Sequence, residues 1–393
     1  YQISISNKVE SLFIGEATDV YYPNEFEQAN IRFYEILAHY YRSKEATAPR
    51  DKRFHKQAMI TTLRDWSAYI ENFKAQNQGR AIYKGSTFID LMGVIIHDTS
   101  NRSKDRAIVK SFKKLGQRNL IQQMGIYPSF NESHEKFRDD YNKLHLKSQS
   151  ELEQYVKRTK TNDSVSNFLK SKKKYNTYIL ILDGHVIKKT AKVFEFPLSL
   201  PVSVIVHNDE EMDDFGTFAL KMLSITSGTK PNIYFELPKI DAKLATVPSR
   251  ISIRDEDKKE VLSGESILMA NSSEILGSSI KSDIGKLQAK VGARLAAKHI
   301  ALLASAYQTY KGLYKSGSFL AYLSASAAYA IGNKAIQESE LADLRSWYGI
   351  FDQVKLFPVN LKPGKYELTY GERKFEIIRD KEAKQILPLI INY

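Results

Sequence analysis

Ser278-Ser-Ile-Lys281 has the Ser-x-x-Lys spacing that puts a lysine amine one helical turn from a serine hydroxyl, where it can take the proton of an attacking oxygen. Lys315-Ser316-Gly317 resembles the closing triad of the penicillin-recognising enzymes that use this pair. No Ser-x-Asn element stands between the two, however, and about 33 residues separate motifs that belong on elements much farther apart. No Gly-x-Ser-x-Gly elbow offers another serine nucleophile. A phosphate-cradling loop needs glycines at a set interval followed at once by Lys-Ser or Lys-Thr, and Gly277 with Gly285-Lys286-Leu287 has neither the interval nor the ending. The acidic run Asp209, Glu210, Glu211, Asp213 and Asp214 lacks the alternating ligands and central glycine of a calcium loop and reads better as a helix N-terminus favouring acids. Catalytic and cofactor-binding residues are therefore expected to be none, with carboxylate pairs assembled only by the fold left open.

The eight histidines, at 39, 55, 97, 134, 145, 185, 207 and 299, are scattered singly, and no two have the i, i+4 spacing that sets a pair of imidazoles on one helix face. No metal site is expected, and His299 is expected to be a core or interface histidine with one hydrogen bond. The absence of cysteine excludes disulfides, thiolate metal sites and cysteine nucleophiles, and suits an oxidising envelope compartment. The net charge of +13 is concentrated: residues 101–200 carry 21 Lys and Arg against 10 Asp and Glu. With Tyr127, Phe130, Tyr141 and Tyr155 this band has the charge and stacking surface that nucleic acid uses, but the aromatics fit helix-core positions better, so nucleic-acid binding through the basic band 101–200 stands as the second alternative function and not as the first.

The 393 residues are long enough for two or three domains, and no run of about 18 strongly apolar residues is present. From Phe26 to about Leu169 apolar residues recur at three- and four-residue intervals, in short segments punctuated by Gly79, Gly85 and Asn101, which predicts helical hairpins. A Lys- and Ser-rich stretch, Lys157 to Lys174, separates them from a strand at Tyr178 to Leu182 ended by Asp183-Gly184. Strands are expected at Val193 to Phe196, Val202 to Val206, Asn232 to Leu237 closed by Pro238, Arg250 to Arg254 and Ser266 to Met269. A long amphipathic helix near 272–347 starts at the capping-box pair Asn271 and Glu274, and four strands after Val354 are expected to form a meander. The fold class is thus α+β: a helical, tetratricopeptide-like domain over 1–174 and a mixed α/β domain over 175–393.

Within Ser316 to Ile331, Phe319, Tyr322 and Tyr329 stand among small Ala and Ser residues, the composition of an assembly surface. Truncating Tyr322 or Tyr329 is expected to leave the folded monomer intact and to weaken association. The cluster Lys170, Lys172, Lys173 and Lys174 is the next candidate contact.

Three groups of segments resemble a family of Gram-negative envelope lipoproteins with a tetratricopeptide-like front half. They are Gly79 to Tyr83 with Phe88 to Gly93 and Arg106 to Lys113; Tyr178 to Gly184 leading to Tyr234 to Pro238; and Asp343 to Trp347 with Val354 to Leu356 and Leu361 to Tyr366. Gly349-Ile-Phe351 departs from the family's usual Leu-Pro pair. The resemblance implies a lipidated cysteine just upstream of Tyr1, an anchor in the outer membrane and residence in the periplasm. It also implies other envelope proteins, chiefly lipoproteins, as partners in a homo- or hetero-oligomer, among them relatives of penicillin-binding-protein activators and of flagellar disk proteins. A non-catalytic scaffold is expected, in a flagellar motor accessory ring or, alternatively, a regulator of cell-wall synthesis.

Overall fold

The computed structural model describes residues 23–76, 85–97, 103–127, 175–197, 212–227, 232–241, 250–314, 317–347, 349–381 and 384–391. The strand expected at Val202 to Val206, the linker Lys157 to Lys174 and the whole cluster Lys170, Lys172, Lys173 and Lys174 lie outside these residues. The chain is α+β, with helices in the front half and strands with helices in the back half.

Helix α1 (Glu25–Glu45) begins where Asn24 and Glu27 exchange side-chain and backbone hydrogen bonds, each at 2.9 Å, satisfying two of the amides a helix start leaves open. Its buried stripe, Phe26, Ala29, Phe33, Ile36 and Leu37, follows the helical period. After a three-residue loop Pro49 opens α2 (Pro49–Gln76), where a missing amide costs nothing, and Met59, Leu63, Trp66 and Ile70 turn inward. Helix α3 (Thr87–His97) is buried on almost every side and carries few charges to hold it at a surface. It packs on α4 (Ser103–Ile126), where a Cβ at Gly93 would stand 2.5 Å from the Phe112 ring. Asn119 donates to Asp90 at 2.6 Å and Thr87 to Gln123 at 3.0 Å, two hydrogen bonds between polar side chains buried where the helices meet.

Strand β1 (Thr177–His185) is an inner strand of one of the back half's two four-stranded sheets. Tyr178 to Leu182 is buried throughout, because Ile179 and Ile181 enter one core while the alternate residues face the other side. The expected turn at Asp183-Gly184 does not end the strand: Gly184 takes φ +65° and pairing resumes at His185 opposite Phe351. Strand β2 (Thr190–Pro197) pairs antiparallel with β3 (Asn232–Lys239), and helix α5 (Met212–Ser227) lies between them in sequence. Pro238 is inside β3, opposite Ala191, rather than at its end; a two-stranded sheet leaves each strand an open edge where a missing donor is tolerated.

Strands β4 (Arg250–Arg254), β5 (Glu260–Glu265) and β6 (Ile267–Asn271) precede helix α6 (Ser272–Leu313). Helix α7 (Ser318–Ser339) and strands β7 (Phe351–Val359), β8 (Gly364–Tyr370), β9 (Arg373–Arg379) and β10 (Gln385–Ile391) complete the chain. The last four strands do not form the expected meander. β10 and β7 flank β1, with β6 beyond, in the order β10-β1-β7-β6, whereas β8 and β9 belong to a second sheet, β5-β4-β8-β9. The reason is hydrophobic: Ile179, Ile181, Phe357, Val359, Leu389 and Ile391 of the first sheet bury against Ile251, Ile253, Leu368 and Ile377 of the second, which a single meander would leave wet. β1 and β10 run parallel, a pairing no local turn can make.

The chain forms two compact units that do not follow its linear halves. One combines Pro23–Ile187, Asp241–Ser279 and Trp347–Tyr393: helices on one face of the β1 sheet and the second sheet on the other. Tyr34 of α1 meets Phe351 ring to ring, and the Tyr40 hydroxyl accepts from the Ile386 amide at 2.9 Å, so α1 is pinned to that outer face. The other unit contains Lys188–Ile240 and Ile280–Ser346. The expected boundary at 174 and 175 falls inside the stretch Pro23–Ile187 of the first unit, in which α1 packs on strands that follow the boundary.

Candidate interaction surface

Helices α6 and α7 form a hairpin in the second unit, where one long helix near 272–347 was expected. The chain breaks after Leu313 and reverses near Gly317, whose φ of +127° is open to glycine but strained for other residues. The helices then approach closely: a Cβ at Gly332 would stand 2.3 Å from Leu302. Helix ends at Ser339 rather than Trp347, because the Glu340 carbonyl turns out to accept from Glu236 of β3 at 3.3 Å. Below it the Glu340 carboxylate is fully buried, accepts two bonds from Arg294 Nε at 3.0 and 3.1 Å and one from its Nη2, and takes Lys298 Nζ at 2.7 Å.

The two faces of α7 are chemically distinct. Ala321, Ala325 and Tyr329, four residues apart, are buried, and the last two join a core with Phe218, Met222 and Leu223 of α5, Phe235 and Leu237 of β3, and Val291, Leu295 and Leu303 of α6. Tyr329 is wholly buried and its hydroxyl lies 3.3 Å from His299 Nδ1. The expectation that Tyr329 is an exposed assembly anchor is thus corrected: the small Ala residues beside it bring the helices together over it. Tyr322 is also corrected, to half-buried; its ring meets Phe218 and Tyr310 edge-on at 5.8 and 5.5 Å, and burial, with Tyr310 a lesser cause, pushes its pKa up. Phe319 is 77% exposed. Leu320, Leu323 and Ile331 continue the same outward face with exposed Ser324, Ala327 and Ala328 between them. No charged residue occurs from Ser316 to Asn333 to solvate it.

His299 is the buried histidine that its place near the apolar stripe of the sequence suggested. Burial, and secondarily the Lys298 charge, lower its pKa from 6.5 to about 4. The unfolded chain therefore takes up a proton near pH 6.5 that the folded chain refuses until near pH 4. Its neutral form contributes no pH dependence above about pH 7, and stability falls by roughly 3 kcal/mol as pH drops through that window. Urea midpoints at pH 7.5 and 4.5 should differ less in His299→Gln than in the parent; equal differences would contradict this.

In the other unit, Lys355 of β7 is 1% exposed; its Nζ donates to the Tyr370 hydroxyl at 2.7 Å and lies 3.8 Å from Asp183. Sequence gave no sign of this trio, since its members come from β1, β7 and β8. Closed off from solvent, the amine finds its hydrogen-bond partner within the sandwich. Ser273 and Asp352 also meet: the Ser273 amide and hydroxyl both donate to Asp352 Oδ1, and the hydroxyl accepts from the Ile187 amide at 2.9 Å. That arrangement anchors the first turn of α6, alongside the Asn271 side chain, which accepts from the Glu274 amide at 3.4 Å as half of the expected capping box. His39 and His55, sixteen positions apart, are brought to 3.0 Å by the α1–α2 hairpin, a meeting that no i, i+4 reading reveals.

No family model, no curated protein and no solved structure matches this chain.

Proposed function

We propose that the protein is a non-catalytic assembly protein that docks a partner through the outward face of α7. The observation that carries this reading is the row Phe319, Leu320, Leu323 and Ile331, exposed on a helix whose opposite face is fully packed. Large apolar side chains on a rigid helix, separated by Ser and Ala, offer knobs and shallow holes to an apolar surface at low rotamer cost. The fitting partner is a protein presenting an uncharged apolar groove. Following the family resemblance, we place that partner among other proteins of the cell envelope, with this chain acting as a periplasmic scaffold held at the outer membrane. Among the described residues no helix is long and apolar enough to cross a membrane.

Phe319→Ser with Leu323→Ser tests the reading. Both side chains stand in solvent, so the unfolding free energy should stay within about 1 kcal/mol of the parent. Co-purification from detergent-solubilised envelopes should lose the partner, with about 1–2 kcal/mol of binding lost per side chain. Unchanged recovery of the partner by the folded double variant would refute the α7 surface.

A further inference from the structure

We propose that His39 and His55 form a transition-metal site that clasps helices α1 and α2, with Glu35 as its third protein ligand. The two Nδ1 atoms face each other at 3.0 Å, and the rings lie 5.2 Å apart, tilted by 36°. In a tetrahedral zinc site with metal–nitrogen bonds of about 2.0–2.1 Å, two imidazole nitrogens are roughly 3.3 Å apart. The pair thus needs to open by only a few tenths of an ångström to admit the ion. One Nδ1 carries the proton of the present hydrogen bond; moving that proton to Nε2 frees both Nδ1 lone pairs without any net proton release, and a turn of the two rings brings them to bear on one ion.

Both rings are half-buried between the helices, and Phe54 packs its ring edge-on against each, which limits the directions they can turn. Glu35 stands four residues before His39, hence on the same face of α1, and is exposed. Among the described residues no three His, Asp or Glu side chains already converge as metal ligands. Binding therefore requires the exposed Glu35 side chain to swing toward the pair, and water fills the remaining position. Imidazole with one carboxylate suits zinc, nickel or copper rather than magnesium or calcium.

Titration of the tag-free full chain with zinc chloride at pH 7.5, followed by calorimetry, is the test, with cobalt absorption reporting coordination number. One zinc per chain is expected, with a raised melting temperature. His39→Gln and His55→Gln should each weaken that binding by at least about tenfold, and Glu35→Gln by less. Circular dichroism and the metal-free melting temperature verify that each variant is folded. Absence of saturable zinc binding up to millimolar metal overturns the proposal, as does binding that survives unchanged in folded His55→Gln. A variant that unfolds is replaced by the milder His39→Asn or His55→Asn and read in the same way.

Discussion

Glu340→Ala should cost about 3–5 kcal/mol of stability, because it leaves two cations in the second unit without the carboxylate that compensates them. The Arg294 side chain is 2% exposed and that of Glu340 is fully buried, whereas Lys298 retains 11% and some access to water. Two bonds from Arg294 Nε, another from Nη2 and the Lys298 contact all end on this one carboxylate. Glu340 also marks the end of α7 and joins it through its backbone to β3, so its loss should loosen the helix end as well. Urea unfolding monitored by fluorescence and circular dichroism would measure the loss. The comparison that isolates the cause is Arg294→Met with Glu340→Leu: removing the pair together should be far milder than removing one partner, since no charge is then buried alone. Equal losses in Glu340→Ala and the double variant would show that packing at this position, and not the ion pair, holds the unit.

Much of the order of elements was legible in local pattern. Tyr178 to Leu182 reads as a buried strand because it is an unbroken apolar run with Tyr178, Ile179 and Ile181 among strand-favouring types and a turn signal after it, and Asn271 with Glu274 is a cap whose partners are three residues apart. What was not legible depends on partners distant in sequence. β10 joins β1 through a parallel register from Thr177 opposite Gln385 to Asp183 opposite Ile391, and nothing near either strand specifies it. β5 was missed for a different reason: Glu260 to Glu265 lies mostly exposed on a sheet edge, so it lacks the buried alternation that marks a strand.

The candidate surface was legible in part, and its error has a physical source. Ser316 to Ile331 is uncharged on every side, so periodicity could not say which aromatic faces in. Phe319 and Tyr322 are three residues apart and Tyr329 a further seven, all on neighbouring helical bearings; only the positions of α5 and α6 separate the exposed Phe319 from the buried Tyr329. The His39–His55 meeting has the same origin, since it depends on how two helices are aligned after a short loop.

Tyr329→Ala is accordingly expected to destabilise the protein by about 3–5 kcal/mol, the scale of deleting a large buried aromatic ring. The ring fills the space between α6 and α7 beside Ala325, Leu295 and Leu303, and Gly332 one turn later holds the helices too close for the backbone to collapse freely into the void. Burial also pushes the Tyr329 pKa up to about 12, so the hydroxyl stays protonated through the neutral range and remains able to donate to His299. Tyr329→Phe keeps the ring and removes that partner, leaving the buried imidazole unsatisfied at a cost of about 1–3 kcal/mol. The ordering Tyr329→Ala, then Tyr329→Phe, then Phe319→Ser, from most to least destabilising, follows directly from burial. Differential scanning calorimetry on the three variants would read it, and a Tyr329→Ala protein as stable as its parent would return this residue to the outer face of the helix.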